Sequence, residues 1–272
     1  MSEQNNDNQS EKSRKGQPGK RRISNYFLVA AILFLALFLC LGPLKNWQQE
    51  KKNESLRLLA EKTTTETVLT ETAADTAKAE EVSTEATYVS PINFDELRKI
   101  NPDVVAWLTI PGTKIDYPVV QTTDNETYLK KTFEGGESAT GAIYLDCDSD
   151  SDMMGYHSIF YGHHMKNKTM FADIIKFKDK DFFEAHREII LYTPERELHL
   201  KTIAALYGDA DGEKRRTKFK SQEAFEQYID TMTKGCTFRE MVKPGTDRLY
   251  SFVTCSYEFD NARTILYAVE GE

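Results

Sequence analysis

Three side chains with reactive chemistry stand at the ends of predicted strands. Cys255 follows the apolar strand 249–254, and His163 follows the apolar residues that end at Tyr161. Arg263 begins the next strand, and a hairpin would bring its guanidinium back toward the thiol. A cation beside a thiol favours the nucleophilic thiolate, so this set predicts catalysis by cysteine. For each residue alone the alternative is a structural role, because Cys is among the most buried residue types.

The other cysteines show no metal or disulfide pattern. Cys40 lies within a long apolar run, which leaves Cys147, Cys236 and Cys255. Because this number is odd, at least one thiol stays free or pairs between chains. A bond between Cys147 and Cys236 is compatible with an oxidising compartment, but spacing does not show proximity and we assign none. No C-x-x-C or C-x-x-H spacing occurs, so a zinc site of the usual kind is not expected.

An acidic cluster matches a calcium loop only in part. Asp146, Asp148 and Asp150 alternate as calcium ligands do. The sixth position of such a loop is Ser151 instead of Gly, and the twelfth is His157 instead of Glu. We therefore interpret this stretch as a solvated acidic turn. A second metal set would consist of His157, His163 and His164; it lacks a carboxylate partner and helical spacing, so we expect no metal and no cofactor.

Short strands must position the three reactive residues. Period-2 and short apolar runs predict eight strands, at residues 104–110, 115–121, 141–145, 158–161, 189–192, 198–206, 249–254 and 264–269. Helices are predicted at residues 94–100, 170–177, 181–186 and 221–233, the last capped by Ser221. The fold class is therefore mainly β, a barrel or sandwich with peripheral helices.

The N-terminal part carries a candidate membrane segment. Residues 23–44 contain no charged side chain, and about 20 apolar residues suffice for a helix that crosses a bilayer. Lys20, Arg21 and Arg22 precede this run and favour a cytoplasmic tail at residues 1–22. The alternative is a cleaved signal peptide, but residues 42–45 offer no small-x-small cleavage site. We interpret the run as an uncleaved signal anchor with the rest of the chain outside the cell.

Residues 45–90 are predicted to be an extracellular stalk or linker, largely disordered, in which residues 45–62 resemble a polar helix or stalk. Within them, residues 63–87 hold nine Thr, five Glu and five Ala, too little apolar surface to offset the entropy of folding. Residues 91–272 then form one domain. The chain has a net charge of −8 although residues 1–22 are basic, so the domain is acidic and duplex nucleic acid is not an expected partner.

The motifs together resemble a known family. In chain order they are Tyr161-Gly162-His163, Met165-x-Asn167, Val253-Thr254-Cys255 and Arg263. Behind an N-terminal anchor, this order resembles the sortase family of Gram-positive cell surfaces. Residues 101–121 and the helix 221–233 resemble class B sortases in particular. The similarity spans nearly all of residues 91–272.

The resemblance implies an eight-stranded β-barrel transpeptidase with an N-terminal helix and a helix between late strands. Cys255 would attack a peptide carbonyl, with Arg263 and a backbone N–H beside Cys255 as donors to the oxyanion. His163 would protonate the departing amine, and after a thioester it would deprotonate the incoming amine. In the family the histidine directly after Gly is catalytic, so we choose His163 over His164 and expect His164 to point elsewhere.

The resemblance also implies substrate-binding residues: Asn125, Leu129, Thr254 and Ser256. A turn-capping Asn and a half-exposed core Leu are the alternatives for Asn125 and Leu129. Two positions depart from the family pattern and concern fine specificity. Phe252 stands where the family often has Leu, and Ser256 stands where some class B members have an acidic residue.

The substrate implied by the family is a secreted surface protein with a C-terminal Asn-Pro-x-Thr-x sorting motif. It would be cleaved after Thr and joined to a peptidoglycan amine, in a precursor or cross-bridge. A pilin-polymerising sortase, which uses a Lys of another pilin, is the close alternative. Two other classes stay open: a membrane-anchored thiol hydrolase and a non-catalytic surface binding module.

Overall fold

The computed structural model describes residues 19–61, 88–209, 212–255 and 262–271. The chain divides into two compact units, residues 1–51 and residues 52–272. The first described element is the 43-residue helix α1, Gly19–Glu61. Among the described residues, no helix has both the length and the sustained apolar composition that crossing a membrane requires.

The last ten residues of α1 belong to the second unit, which therefore starts earlier than residue 91, the boundary expected from the sequence. Leu56 and Ala60 are buried in a cluster with Leu97 and Trp107. The N–H of Asn93 donates to the carbonyl of Ala60 at 3.0 Å. Because most residues around Leu56 and Ala60 are polar, this buried contact could not be recognised from the sequence pattern. The predicted tail 1–18 and the acidic stretch 62–87 lie outside the described residues.

Eight strands close into a barrel, as predicted. In chain order the strands are β1 Val104–Thr109, β2 Asp116–Val120, β3 Ile143–Leu145, β4 His157–Tyr161, β5 Glu188–Tyr192, β6 Glu197–Asp209, β7 Phe238–Arg239, β8 Leu249–Cys255 and β9 Ala262–Glu270. The sheet order is β5-β1-β2-β3-β4-β8-β9-β6, and pairing of β5 with β6 closes the ring. The two-residue β7 adds to the edge of β6. Closure removes the exposed edges that an open sheet would leave.

Two of the strand pairs in the ring are parallel, β2 with β3 and β4 with β8. The barrel interior is filled by large apolar side chains, and Phe160 of β4 stacks on Phe252 of β8 with ring centroids 5.1 Å apart. Both are fully buried, so this contact fixes β4 against β8.

Helices pack against several parts of the barrel, and those that contain Phe171 and Phe183 contribute side chains to the core cluster of its interior. The helices are α2 Phe94–Ile100, α3 Thr127–Lys130, the 3-10 helix Phe171–Lys178, α4 Lys180–Ala185, the 3-10 turn Gly212–Arg215 and α5 Gln222–Thr233. Ser221 caps α5 as predicted, since its Oγ accepts from the N–H of Ala224 at 3.3 Å. Phe225 and Ile229 of α5 pack with Tyr267 of β9.

Candidate active site

The parallel pair β4 and β8 brings the predicted histidine beside the predicted cysteine. Tyr161 of β4 is paired with Val253 of β8, and the N–H of Gly162 donates to the carbonyl of Val253 at 3.2 Å. His163 and Cys255 each follow two residues later along parallel strands, so they occupy adjacent positions at one end of the barrel. They are 92 residues apart in the sequence.

The antiparallel pair β8 and β9 adds the arginine. Cys255 is the register partner of Arg263, and Thr254 is the partner of Thr264. The backbone of Cys255 therefore lies between His163 on one neighbouring strand and Arg263 on the other. Ser256, predicted to bind substrate, lies outside the described residues.

A cleft of about 200 Å³ opens at this end of the barrel. Residues that line it include Leu129, Tyr144, Tyr161, His163, Thr254 and Arg263. Four of the sites predicted from the sequence thus share one cleft. Tyr144 and Tyr161 were not predicted as site residues; Tyr161 belongs to the motif Tyr161-Gly162-His163, which was the one signal that could have found it.

His163 is held by the backbone of α3. Its Nε2 lies 2.9 Å from the carbonyl oxygen of Leu129. Because a carbonyl oxygen only accepts, Nε2 carries the hydrogen, and in the neutral imidazole Nδ1 is the basic atom. The carbonyl of His163 also accepts from the N–H of Phe171 at 3.0 Å. Ring and backbone are thus both fixed, as acid–base catalysis requires.

Two glycines allow this close packing. Gly141 has φ +59°, and a Cβ there would lie 2.5 Å from the carbonyl oxygen of Tyr128 and 3.2 Å from Cδ2 of His163. At Gly162 a Cβ would meet Cδ1 of Ile143 at 2.5 Å and the ring of Phe171 at 2.7 Å. Any side chain at either position would displace the walls around His163.

Thr254 lines the cleft, but its side chain lies on the same face of β8 as the buried Phe252. The residue is 2% exposed, and among the described residues its Oγ1 has no hydrogen-bond partner. Arg263 is half-buried, and its Nη1 donates to the carbonyl of Ala262 at 3.0 Å.

Asn125 does not line the cleft. Its Nδ2 donates to Oδ2 of Asp146 at 3.0 Å, and its Oδ1 accepts from the N–H of Cys147 at 2.9 Å. Both ends of the amide are therefore used within the protein. Its neighbour Leu129, four residues on, does line the cleft.

The acidic turn differs from the solvated turn that we expected. Asp146 is fully buried, and Arg215 donates to it from Nε at 2.6 Å and from Nη2 at 3.0 Å. The same Nη2 lies 2.7 Å from Oδ2 of Asp148. Asp146, Cys147 and Asp148 offer ligand atoms within 4.8 Å of one another, but the guanidinium already supplies the positive charge there. Nothing in the sequence pattern connects Arg215 with Asp146, because 69 residues separate them.

His157 is a structural residue. Nδ1 lies 2.8 Å from the carbonyl oxygen of Arg216, and Nε2 lies 2.6 Å from Oγ of Ser251. Both nitrogens are thus engaged, which leaves none for the metal set of three histidines. Burial lowers the pKa of His157 to about 4. His164 follows His163 but is not among the residues that line the cleft.

Cys147 and Cys236 are free thiols. Burial raises the pKa of both, that of Cys236 to about 12. A raised pKa disfavours the thiolate, so neither is suited to act as a nucleophile.

Comparison with known proteins agrees with this geometry. A family model for the sortase domain matches residues 108–270. Sortase B of Listeria monocytogenes is 34% identical over 166 residues, which cover 61% of this chain and 68% of that protein. The X-ray structure of Clostridium perfringens sortase B has a TM-score of 0.63 and 32% identity, and the match covers 66% of this chain and 100% of that one. A Staphylococcus aureus sortase B–substrate complex, at 23% identity, shares the fold with a TM-score of 0.69 over 84% of this chain and 99% of that one.

The chain belongs to the sortase family of cysteine transpeptidases, which act on peptide bonds. The relatives named above are all sortase B, so the expectation of a class B sortase is confirmed.

Proposed function

We propose that this class B sortase cleaves an Asn-Pro-x-Thr-x sorting signal after Thr and joins the protein to a peptidoglycan amine. The observation that carries the proposal is the strand register that puts Cys255 between His163 and Arg263. This arrangement supplies a nucleophile, a proton carrier and a cation at one cleft. Those three functions are what acyl transfer through a thioester needs.

The reaction begins when the proton of the Cys255 thiol passes to Nδ1 of His163 and the thiolate attacks the carbonyl carbon of the substrate Thr. Arg263 donates to the oxyanion that forms. The C–N bond then breaks, and the amine leaves with a proton from Nδ1 of His163. A wall amine attacks the thioester, gives its proton back to His163 and releases Cys255 as the tetrahedral intermediate collapses. One peptide bond is broken and one is formed, so no cofactor is required.

Substrate recognition is assigned to the walls of the cleft. Leu129 offers an apolar contact, 36% exposed, and Thr254, which also lines the cleft, is kept in the binding set from the family resemblance. We keep Ser256 in the binding set from the family resemblance. In this proposal Asn125 does not contact the substrate; it positions Leu129 through the turn that precedes that residue.

The location follows from the N-terminal sequence. We propose that residues 23–44 anchor the chain in the cell membrane, with residues 1–22 in the cytoplasm and the catalytic domain outside. The support is the uncharged run and the basic residues before it. Secreted substrates and wall precursors both pass this surface, and tethering raises their effective concentration.

The test uses the full-length chain purified in detergent. Peptide libraries of the Asn-Pro-x-Thr-x and Leu-Pro-x-Thr-Gly types are incubated with and without oligoglycine or diaminopimelate, and products are read by mass spectrometry. The proposal expects cleavage after Thr, an amine-joined product and a Cys255 thioester adduct. The Cys255→Ala variant is the control and should form none of these.

Other outcomes point elsewhere. Product joined only to water would favour the thiol hydrolase, and preference for a Lys side chain of a pilin peptide would favour the polymerising sortase. Cleavage of the Leu-Pro-x-Thr-Gly peptides alone would overturn the motif while leaving the transpeptidase in place.

A further inference from the structure

The Asp146 carboxylate is a buried junction behind the cleft. It follows β3 directly, and its backbone N–H donates to the carbonyl of Ile159 in β4 at 2.8 Å. Its side chain is fully buried and accepts from five donor groups. Two come from Arg215, and the others are Asn125 Nδ2 at 3.0 Å, the hydroxyl of Tyr161 at 3.0 Å and the N–H of Asp148 at 2.9 Å. Such full satisfaction is what keeps a buried charge stable.

One of these donors reaches the cleft through β4. Tyr161 lines the cleft, stacks on Tyr144 with centroids 5.2 Å apart, and lies two residues before His163. Its hydroxyl bond to Asp146 therefore fixes both a wall of the cleft and the strand end that carries His163. Burial, and then the Asp146 charge, raise the pKa of Tyr161, so the hydroxyl stays a donor at all working pH values.

A second donor reaches the cleft through α3. Asn125 lies in the turn that leads into α3, and Asp124 fixes that turn by accepting from the N–H groups of Glu126 and Thr127. The carbonyl of Leu129, at the far end of this turn and helix, meets Nε2 of His163 at 2.9 Å. The Asp146 carboxylate thus holds both segments that converge on the imidazole, one through Tyr161 and one through Asn125.

Arg215 fixes Asp146 from the solvent side. Its side chain is 42% exposed and bonds both oxygens of Asp146, while Nη2 also reaches Asp148. The next residue, Arg216, accepts from His157 at the start of β4. Removal of the guanidinium would leave the buried carboxylate without its counter-charge, so the other three donors would rearrange.

We propose that the Asp146–Arg215 pair is the positioning centre of this active site, acting on His163 through Tyr161 and Asn125. The inference rests on the proposed role of His163 and names residues for the same reaction that do not touch the substrate. Displacement of a reacting group by about 1 Å can cost about 100-fold in rate, so loosening this junction should lower kcat more than it changes KM.

The test compares variants of the full-length chain. Arg215→Lys keeps the charge and loses the bidentate fork, Tyr161→Phe removes one hydroxyl, and Asp146→Asn removes the charge. The matched control is Asp230→Asn on α5, which breaks an ion pair with Arg239 of β7. For each variant we would measure kcat and KM for transpeptidation, the thermal unfolding midpoint, and the pH profile of Cys255 alkylation by iodoacetamide.

The proposal expects kcat to fall about 10- to 100-fold in Arg215→Lys, with a smaller loss in Tyr161→Phe, at nearly constant KM. The pH midpoint of Cys255 alkylation should move toward that of an ordinary thiol. The Asp230→Asn control should match the wild type in kcat and in this midpoint. Arg215→Lys and Tyr161→Phe act through the same carboxylate. The kcat loss of the double variant should therefore be smaller than the two single losses combined. If Asp146→Asn fails to fold, these two milder variants carry the test.

Folded Arg215→Lys and Tyr161→Phe variants with wild-type kcat and an unchanged alkylation profile would overturn the proposal, even if their unfolding midpoints fell. Alkylation needs no peptide, so this reading stands even if no sorting peptide is turned over. If the wild type forms no product, the result would count against the proposed function and not against the positioning role, because the wild type keeps the Asp146–Arg215 pair intact.

Discussion

The two ends of β4 carry histidines with opposite properties. His157 begins the strand, is 1% exposed and bonds through both ring nitrogens. His163 follows the end of the strand, lines the cleft and meets one backbone carbonyl through Nε2. Burial lowers the pKa of His157 to about 4, so that it stays neutral at physiological pH.

This difference shows that position along a strand decides the chemistry of an identical side chain. A histidine inside the packed layer is desolvated and serves as a rigid bridge between β8 and the segment of Arg216. A histidine just past the strand end is open to the cleft while its ring is still oriented. Six positions along the chain thus separate a structural histidine, His157, from His163, which is proposed to act in the reaction.

The largest effect should come from removing the histidine in the cleft. His163→Ala should lower kcat/KM for transpeptidation about 100- to 10,000-fold, because the acid–base group is lost. His157→Gln, at the other end of β4, should retain most activity per folded molecule. The measurement is steady-state kinetics normalised to folded protein. Equal loss in both variants would break the contrast between the two ends.

The next effect concerns the cation opposite Cys255. Arg263→Lys should cost about 100- to 1,000-fold in kcat, because an ammonium does not reproduce the donor geometry of a guanidinium. The control is Arg248→Lys: Arg248 directly precedes β8, at the end opposite Cys255, and is paired with Glu270 of β9. Loss through KM alone would move Arg263 from oxyanion stabilisation to substrate binding.

The third prediction sharpens the contrast through pH. The unfolded chain protonates His157 near its ordinary pKa of 6.5, whereas the folded chain does so only near about 4. Between pH 4 and pH 6.5 the unfolded state binds more protons at His157 than the folded state does. The free energy of unfolding therefore loses nothing to this residue above pH 6.5 and falls as the pH drops toward 4. The loss from this residue should be about 3 kcal/mol.

Thermal unfolding of wild type and His157→Gln across pH 7 to 4 measures it. The variant should be less stable at pH 7 and should lose less stability on acidification, because Gln has no proton to bind. Parallel pH curves for the two proteins would show that carboxylates, and not His157, produce the acid sensitivity.

The smallest effect is expected at the neighbouring histidine. His164→Ala should change kcat/KM less than about twofold, because substitutions away from reacting groups rarely exceed about 0.5 kcal/mol. Its backbone, which bridges to Met170, stays in place in this variant. A large loss here together with an active His163→Ala variant would reverse the assignment of the acid–base residue.

Much of the architecture could be predicted from local sequence. Helix α2 has its predicted bounds, and each of the eight barrel strands lies at its predicted place with no end shifted by more than three residues. The reason is that alternation, turn residues and caps such as Ser221 act over a few neighbouring residues. The reactive residues could be placed at strand ends by the same local signals.

Tertiary structure alone decided which strand ends meet. The pairing of β4 with β8 brings together residues 92 positions apart, and no periodicity specifies a parallel neighbour at that distance. The same applies to Arg215 and Asp146, where a turn expected to be solvated holds a buried carboxylate paired with a partly exposed guanidinium. It also applies to Leu56 and Ala60, whose burial depends on a surface built by later residues.

The amino-acid sequence by itself therefore determined the strands and the reactive groups at their ends, because these depend on interactions between near neighbours. The closed barrel decided the register, the burial of Asp146 and the orientation of His163, because these depend on contacts between distant segments that exist only when the ring is complete.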